Sequence, residues 1–280
     1  MKKINHSRLA ISLTRTVVCT CLLASCNLYE FTPFDIDFEE DEKNIHQKNK
    51  MLLSDFSPKN DSIQFIFLTD NQNSFDELDD VVKDISARDD IPFAILGGDI
   101  TEFGLPEEYR VGLEFFKKMR IPFFSTIGNH DLLGTGIDAF EEMYGPLNDS
   151  FTLDSVKFIF YNTNSREFQY DFSVPDIVWL ENELQENDSV KASIIFSHVG
   201  IKPTDNSIDL RLFPKLDSII SNTPNVLANI HGHGHETEIT FPYTNKDIPS
   251  IQIDDVIDKN YSIFTISSNL ELTWEIIEVE

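Results

Sequence analysis

The feature that most constrains this chain is a recurrence: short apolar runs, each ending in a cluster of Asp, Asn, Gln or His. Phe65–Thr69 runs into Asp70-Asn71-Gln72, Phe93–Leu96 into Gly97-Gly98-Asp99, and Ile121–Ile127 into Gly128-Asn129-His130-Asp131. Ser193–Ser197 is followed by His198, and Val226–Ile230 by His231-Gly232-His233-Gly234-His235. Runs this short, bounded by glycine and polar residues, read as buried strands rather than helices. Between them lie helical patterns. Ser74 precedes Phe75, Leu78, Val82 and Ile85 at helical spacing, with Glu77 placed to complete a capping box. Pro106 opens a second helix with Tyr109, Leu113 and Phe116 on one face. A short helix around 137–144 stops at Gly145-Pro146, and Pro175 opens another carrying Ile177, Trp179, Leu180 and Leu184 as a core stripe.

Strands alternating with helices predict an α/β fold. The later part of the chain is mixed. Phe151–Tyr161 reads as a hairpin turning at Asp154-Ser155, and Tyr261, Ile263, Leu270, Leu272, Trp274 and Ile276 alternate as in antiparallel strands. The simplest architecture is two packed sheets covered by helices. Where strands of such a sheet run parallel, their carboxyl ends share one edge, and ligands bind there.

The residue types at that edge specify the ligand. Asp, Asn and His offer hard oxygens and imidazole nitrogens without a thiolate, a set that suits Mn, Fe or Zn. All three cysteines, Cys19, Cys21 and Cys26, lie near the amino terminus, so no thiolate site can form at the strand ends. The clusters offer more donors than one tetrahedral ion needs, which makes two metals sharing a carboxylate the economical reading. Taken singly each cluster has a plainer explanation. Asp70 or Asp99 alone reads as a helix N-cap, His198 as a satisfied core histidine, and the His231–His235 turn as a single adventitious metal site. It is their order that distinguishes them.

Asp70-x-Gln72, Gly98-Asp99, Gly128-Asn129-His130-Asp131, His198 and Gly232-His233-Gly234-His235 together resemble the calcineurin-like metallophosphoesterase family over roughly residues 63–240. The resemblance implies a four-layer αββα sandwich, a dinuclear metal centre and hydrolysis of phosphoester bonds. It implies that Asp99 bridges two divalent or trivalent ions (Mn, Fe or Zn), that Asp70 and His235 complete the first site, and that Asn129, His198 and His233 hold the second. His130 is implied to stay off the metals and face the phosphate. The family usually has His where this chain has Gln72, although some members carry Gln there. A neutral amide oxygen is a poorer ligand than imidazole for a borderline metal. His231 has no role in the resemblance, Glu102 reads as a solvated loop carboxylate, and Lys202 and Arg211, between two metal blocks, are placed to clamp phosphate or to serve only as loop cations.

The expected substrate is a small phosphomonoester or phosphodiester, attacked by a metal-activated water. The chain carries 22 basic and 48 acidic residues, a formal charge of -26. That field disfavours nucleic acid, whose binding needs clustered Lys and Arg. The alternative is a non-catalytic surface lipoprotein that keeps the fold as a binding module. Oligomeric state is not encoded in any pattern identified.

The amino terminus reads as export machinery. Met1–Arg15 is basic, a short apolar run follows, and Leu23-Ala24-Ser25-Cys26 resembles a bacterial lipobox with Cys26 as the lipidated residue. The expected organisation is a signal peptide over 1–25, the lipidated Cys26 with an acidic, solvated tether over 26–62, and a catalytic domain over 63–280. The expected location is a bacterial cell envelope, on a lipid anchor.

Overall fold

Phe65 and Phe67 of β1 (Ile63–Leu68) point to one face of the strand, Ile66 and Leu68 to the other, and all four are buried. A strand apolar on both faces has to be covered on both. This computed structural model describes residues 32–54, 56, 58, 62–88, 90–185 and 187–279. The leader over 1–25 and Cys26 lie outside the described residues.

β1 pairs in parallel with β2 (Ala94–Leu96), and β2 in parallel with β3 (Phe123–Ser125). On its other side β1 meets β10 (Asn260–Ile266), which is antiparallel both to it and to β11 (Leu272–Glu278). The second sheet has the order β4 (Asp149–Leu153), β5 (Val156–Phe160), β6 (Ala192–Phe196), β7 (Val226–His231), β9 (Ser250–Gln252), β8 (Glu238–Thr240). Its four inner strands are parallel and both edge strands antiparallel. The expected hairpin joins β4 to β5, with Asp154 and Ser155 both at positive φ as a tight two-residue turn demands.

Alternation along the strands sorts side chains into three apolar layers. Phe65, Phe67, Phe93 and Phe124 of the first sheet meet Phe158, Phe160, Phe196 and Ile230 of the second. Phe65 is stacked 5.2 Å from Phe264 and meets Phe158 and Phe196 edge-on at 5.6 Å. The outer face of the first sheet is covered by α2 (Phe75–Ser86), α3 (Pro106–Lys117) and α4 (Gly136–Met143) through Leu78, Val82, Leu113, Phe116 and Phe140. α5 (Ile177–Glu183) and α6 (Phe213–Asn222) cover the second through Leu180, Leu216 and Ile220. The result is the expected four-layer αββα sandwich.

Two local expectations need correction. Ser74 occupies the N-cap position of α2, but its hydroxyl donates to the Gln72 carbonyl and caps nothing. α5 begins at Ile177 rather than at Pro175, because Asp176 accepts from the Trp179 amide at 3.0 Å and so sets the N-cap.

A larger correction concerns the tether. From Ile36 onward the chain belongs to the same compact unit as the sandwich. α1 (Ile45–Leu52) packs along β3, the edge of the first sheet, with Phe38, Ile45 and Leu53 buried. Its polar side chains supply what a missing strand would. Asn49 Nδ2 donates to the Phe123 carbonyl at 2.6 Å, and His46 Nε2 accepts from the Ser125 amide at 2.9 Å. An uncovered edge leaves such groups unpaired, and the helix satisfies them. Acidic residues around α1 conceal this role in the sequence. No helix among the described residues is long and apolar enough to cross a membrane.

Candidate metal centre

The parallel strands β1, β2, β3, β6 and β7 deliver their carboxyl ends to one place. Asp70, Asp99, His233 and His235 all have φ between 50° and 71°. Left-handed backbone is uncommon for residues with a Cβ and clusters where structure is spent on function. Glycine makes the approach possible. A Cβ at Gly128 would lie 2.1 Å from Asp99 Oδ1, and one at Gly232 would lie 2.3 Å from Asp70 Oδ2.

His198 is the hub. Its Nε2 lies 3.1 Å from Asp99 Oδ2, 3.1 Å from Asn129 Oδ1 and 3.3 Å from His233 Nδ1. Asp70 Oδ1 is 3.9 Å from the same nitrogen and 3.6 Å from His235 Nε2. Asp70, Asp99 and His198 are all buried, and one donor atom from each lies within 4.8 Å of the others. Gln72 stands two residues after Asp70, and its backbone N–H donates to the Asp99 backbone carbonyl at 3.2 Å.

Each imidazole is aimed by its other nitrogen. His198 Nδ1 donates to the Gly97 carbonyl at 2.9 Å, which leaves Nε2 for the cluster. His235 Nδ1 lies 2.6 Å from Asp255 Oδ2, so Nε2 turns toward Asp70. Carboxylates and carbonyls behind metal-bound histidines commonly play this part. Asp255 was not foreseen from the sequence, because its distance along the chain follows no motif. Asp131, the last residue of the third block, holds the loops themselves. Its carboxylate accepts from the amides of Gly128, Ile100 and Thr101 and from the Thr101 hydroxyl.

Two observations fit cations in this cluster. Asp70 Oδ1, within the cluster, and Oε1 of Gln72, two residues along the chain, are buried acceptors without a hydrogen-bond donor. Buried oxygens of this kind are costly unless something positive meets them. The second is charge. Asp99 and Asp70 make a setting negative enough to push the pKa of the buried His198 up to about 10. Burial raises the pKa of Asp70. The hard oxygen and imidazole donors suit Mn, Fe or Zn.

His130 stands apart from these atoms. Its backbone N–H bonds to Asp99 Oδ1 at 2.9 Å, while its ring Nδ1 lies 3.0 Å from the Glu102 carbonyl and remains partly exposed. Glu102 accepts from Asn73 at 2.9 Å. His231 is a satisfied core histidine, bonded to the Gly232 carbonyl and to Ser250 Oγ, with its pKa lowered to about 3 by burial. Lys202 is bonded to Glu238 and Gln252, and Arg211 to Asp209, so both loop cations are engaged in ion pairs or hydrogen bonds.

Residues 63–237 match the family model described as calcineurin-like phosphoesterase. Among curated relatives, the probable glycerophosphodiester phosphodiesterase GpdQ of Arcobacter nitrofigilis is 27% identical over 157 residues, 52% of this chain and 57% of that protein. Glycerophosphodiester phosphodiesterase GpdQ of Enterobacter lignolyticus is 24% identical over 174 residues, 58% of this chain and 62% of its own. The matched span is thus less than two thirds of either relative. Among solved structures, a dimetal phosphatase from Danio rerio superposes with a TM-score of 0.60 at 12% identity, covering 78% of this chain and 99% of that one. Purple acid phosphatase PPD1 from yellow lupin gives 0.59 at 13% identity over 80% of this chain and 52% of its own. These superpositions show the sandwich as a shared fold. With the family model spanning more than half of its length, the chain belongs to the calcineurin-like phosphoesterase family.

Proposed function

We propose that the protein hydrolyses small phosphoesters, phosphodiesters first, at the centre built on Asp70, Asp99 and His198. The family uses a dinuclear metal centre. Asp70, Gln72 and His235 would hold one ion, Asn129, His198 and His233 the other, with Asp99 between them. Such a pair supplies Lewis acidity toward phosphoryl oxygens and lowers the pKa of a bound water. The observation that carries this reading is the convergence of the buried carboxylates of Asp70 and Asp99 with the His198 imidazole, where Asp70 Oδ1 lacks a donor.

The chain's own contribution is orientation and proton supply. Asp131 fixes the loop carrying Asn129 and His130 against the one carrying Asp99. His130 is the proton carrier in this account. Its ring Nδ1 lies 3.0 Å from the Glu102 carbonyl and 3.7 Å from the Glu102 carboxylate. With Nδ1–H given to Glu102, the imidazolium has Nε2–H to offer a phosphoryl or leaving-group oxygen. The names of the two GpdQ relatives favour a diester, and the acidic composition argues against a long nucleic acid.

The test is a substrate comparison. Chelator-stripped protein reloaded with Mn, Zn or Fe is offered a glycerophosphodiester, bis-p-nitrophenyl phosphate and p-nitrophenyl phosphate. Diester turnover that disappears in Asp99→Asn is expected. A metal-loaded protein that turns over none of them would leave the second reading, a binding module, for which Gln72 in place of the usual His is the motivating observation. We also propose a lipid anchor at Cys26 in a bacterial envelope. The lipobox-like Leu23-Ala24-Ser25-Cys26 after a basic leader supports it.

A further inference from the structure

His233 meets the cluster through Nδ1, 3.3 Å from His198 Nε2. Its other nitrogen faces a hydroxyl: Nε2 lies 3.1 Å from Ser207 Oγ. Ser207 is only 2% exposed and comes from the loop after β6, a segment no motif singles out. The same Oγ receives a hydrogen bond from an Arg166 guanidinium nitrogen at 2.7 Å, and the Arg166 amide donates to the Ser207 carbonyl at 3.1 Å. We propose that Ser207, held in place by Arg166, is a positioning residue that fixes His233 as a ligand through Nδ1. This rests on the metal-centre reading given above.

The argument follows from donors and acceptors. A neutral imidazole that gives Nδ1 to a cation carries its proton on Nε2, and that proton needs an acceptor. Among the described residues, Ser207 Oγ is the hydrogen-bond partner at that nitrogen. Arg166 is a pure donor, so it takes one lone pair of Oγ and leaves the other for His233.

Arg166 could not hold Ser207 from a loose loop. The segment around it is fastened to the Ser207 loop by further bonds. Asp209 N–H donates to Ser165 Oγ at 2.9 Å, and the Tyr170 hydroxyl donates to the Asn206 carbonyl at 2.7 Å. Arg211 adds a bond to the Tyr170 carbonyl. The loops after β5 and β6 therefore form one wall, with Ser207 at its inner side. Loss of an outer partner of a metal-bound histidine typically costs 10–100-fold in metal affinity.

The test reads ion affinity and the Co(II) d–d spectrum rather than turnover, using the full chain and Mn(II) or Co(II) alone. Ser207→Ala should weaken one of the two ions by about 10–100-fold and change the spectrum of that ion only. Ser207→Thr, which keeps the hydroxyl, should restore both. Arg166→Met should weaken the same ion, and adding it to Ser207→Ala should cost nothing further, since it acts through that hydroxyl. Should Ser207→Ala fail to fold, Arg166→Met alone against Arg166→Lys reports the same ion. Unchanged affinity for both ions in Ser207→Ala, or full additivity of the two changes, would overturn the proposal. Because turnover is not the readout, a protein that binds two ions and cleaves no phosphoester would count against the proposed function and leave this result to be scored separately.

Discussion

His130 touches the centre through its backbone: the amide holds Asp99 Oδ1, and the ring is bonded away, to the Glu102 carbonyl. Removing the ring leaves the amide in place. His130→Ala should therefore keep its metal while turnover falls by about 10²–10⁴-fold, the range of general acid–base assistance. His198→Ala should lose metal and activity together, because its ring sits among Asp99, Asn129 and His233. Equal metal loss in the two variants, by mass spectrometry of the purified proteins, would refute the division. Gln72 carries a second expectation. If its donorless Oε1 meets an ion, Gln72→Ala should weaken one site in a metal titration and Gln72→His should strengthen it; superimposable titrations would remove Gln72 from the ligand set. The ligand candidates were legible because each follows an apolar run and so had to emerge at a strand end. Asp255 and Ser207 were not. They act on ring nitrogens from far along the chain, and an Asp or Ser in a loop carries no pattern of its own.

The strands and helices of the sandwich were legible for the same physical reason: apolar periodicities of two and of three to four differ visibly. α1 was missed because it docks by polar chemistry. His46, Asn49 and Lys50 reach β3 and Asp149, and such contacts leave no apolar stripe in the sequence. This gives α1 a pH dependence. Burial holds the His46 pKa below the ordinary value, with Asp149 opposing and Lys50 assisting, and its Nε2 must be unprotonated to accept from Ser125. In the unfolded chain His takes a proton near pH ~6.5. Below that the unfolded state binds more protons, so this contribution to stability is present above about pH 6.5 and is lost as the pH falls. Urea unfolding at about pH 7.5 and about pH 5.5 should show His46→Gln less stable than wild type at the higher pH and closer to it at the lower. A constant gap between the two proteins would contradict the argument.

At the scale of the molecule, the five ordered blocks implied the four-layer sandwich, and the two sheets with their helices have that form. The sequence does not mark where the tether expected over 26–62 gives way to packed structure, because acidity alone does not distinguish a solvated tether from a helix covering an edge strand. From Ile36 onward the chain packs with the sandwich. Mass spectrometry of the membrane fraction should find an acylated amino-terminal Cys26, and Cys26→Ser should be released or left unprocessed in the leader; Cys26→Ser that stays membrane-bound after cleavage elsewhere would contradict the anchor.

We propose that the converging carboxylates, amides and imidazoles hold metal in order to cleave a phosphoester. Counting ions and turnover on the same samples tests it most directly. Chelator-stripped protein is titrated with Mn(II), bound metal is measured in each aliquot, and bis-p-nitrophenyl phosphate hydrolysis is recorded alongside. No turnover is expected in the stripped protein, followed by a rise that tracks occupancy to two ions per chain. Full turnover without bound metal, or two bound ions without turnover, would contradict it.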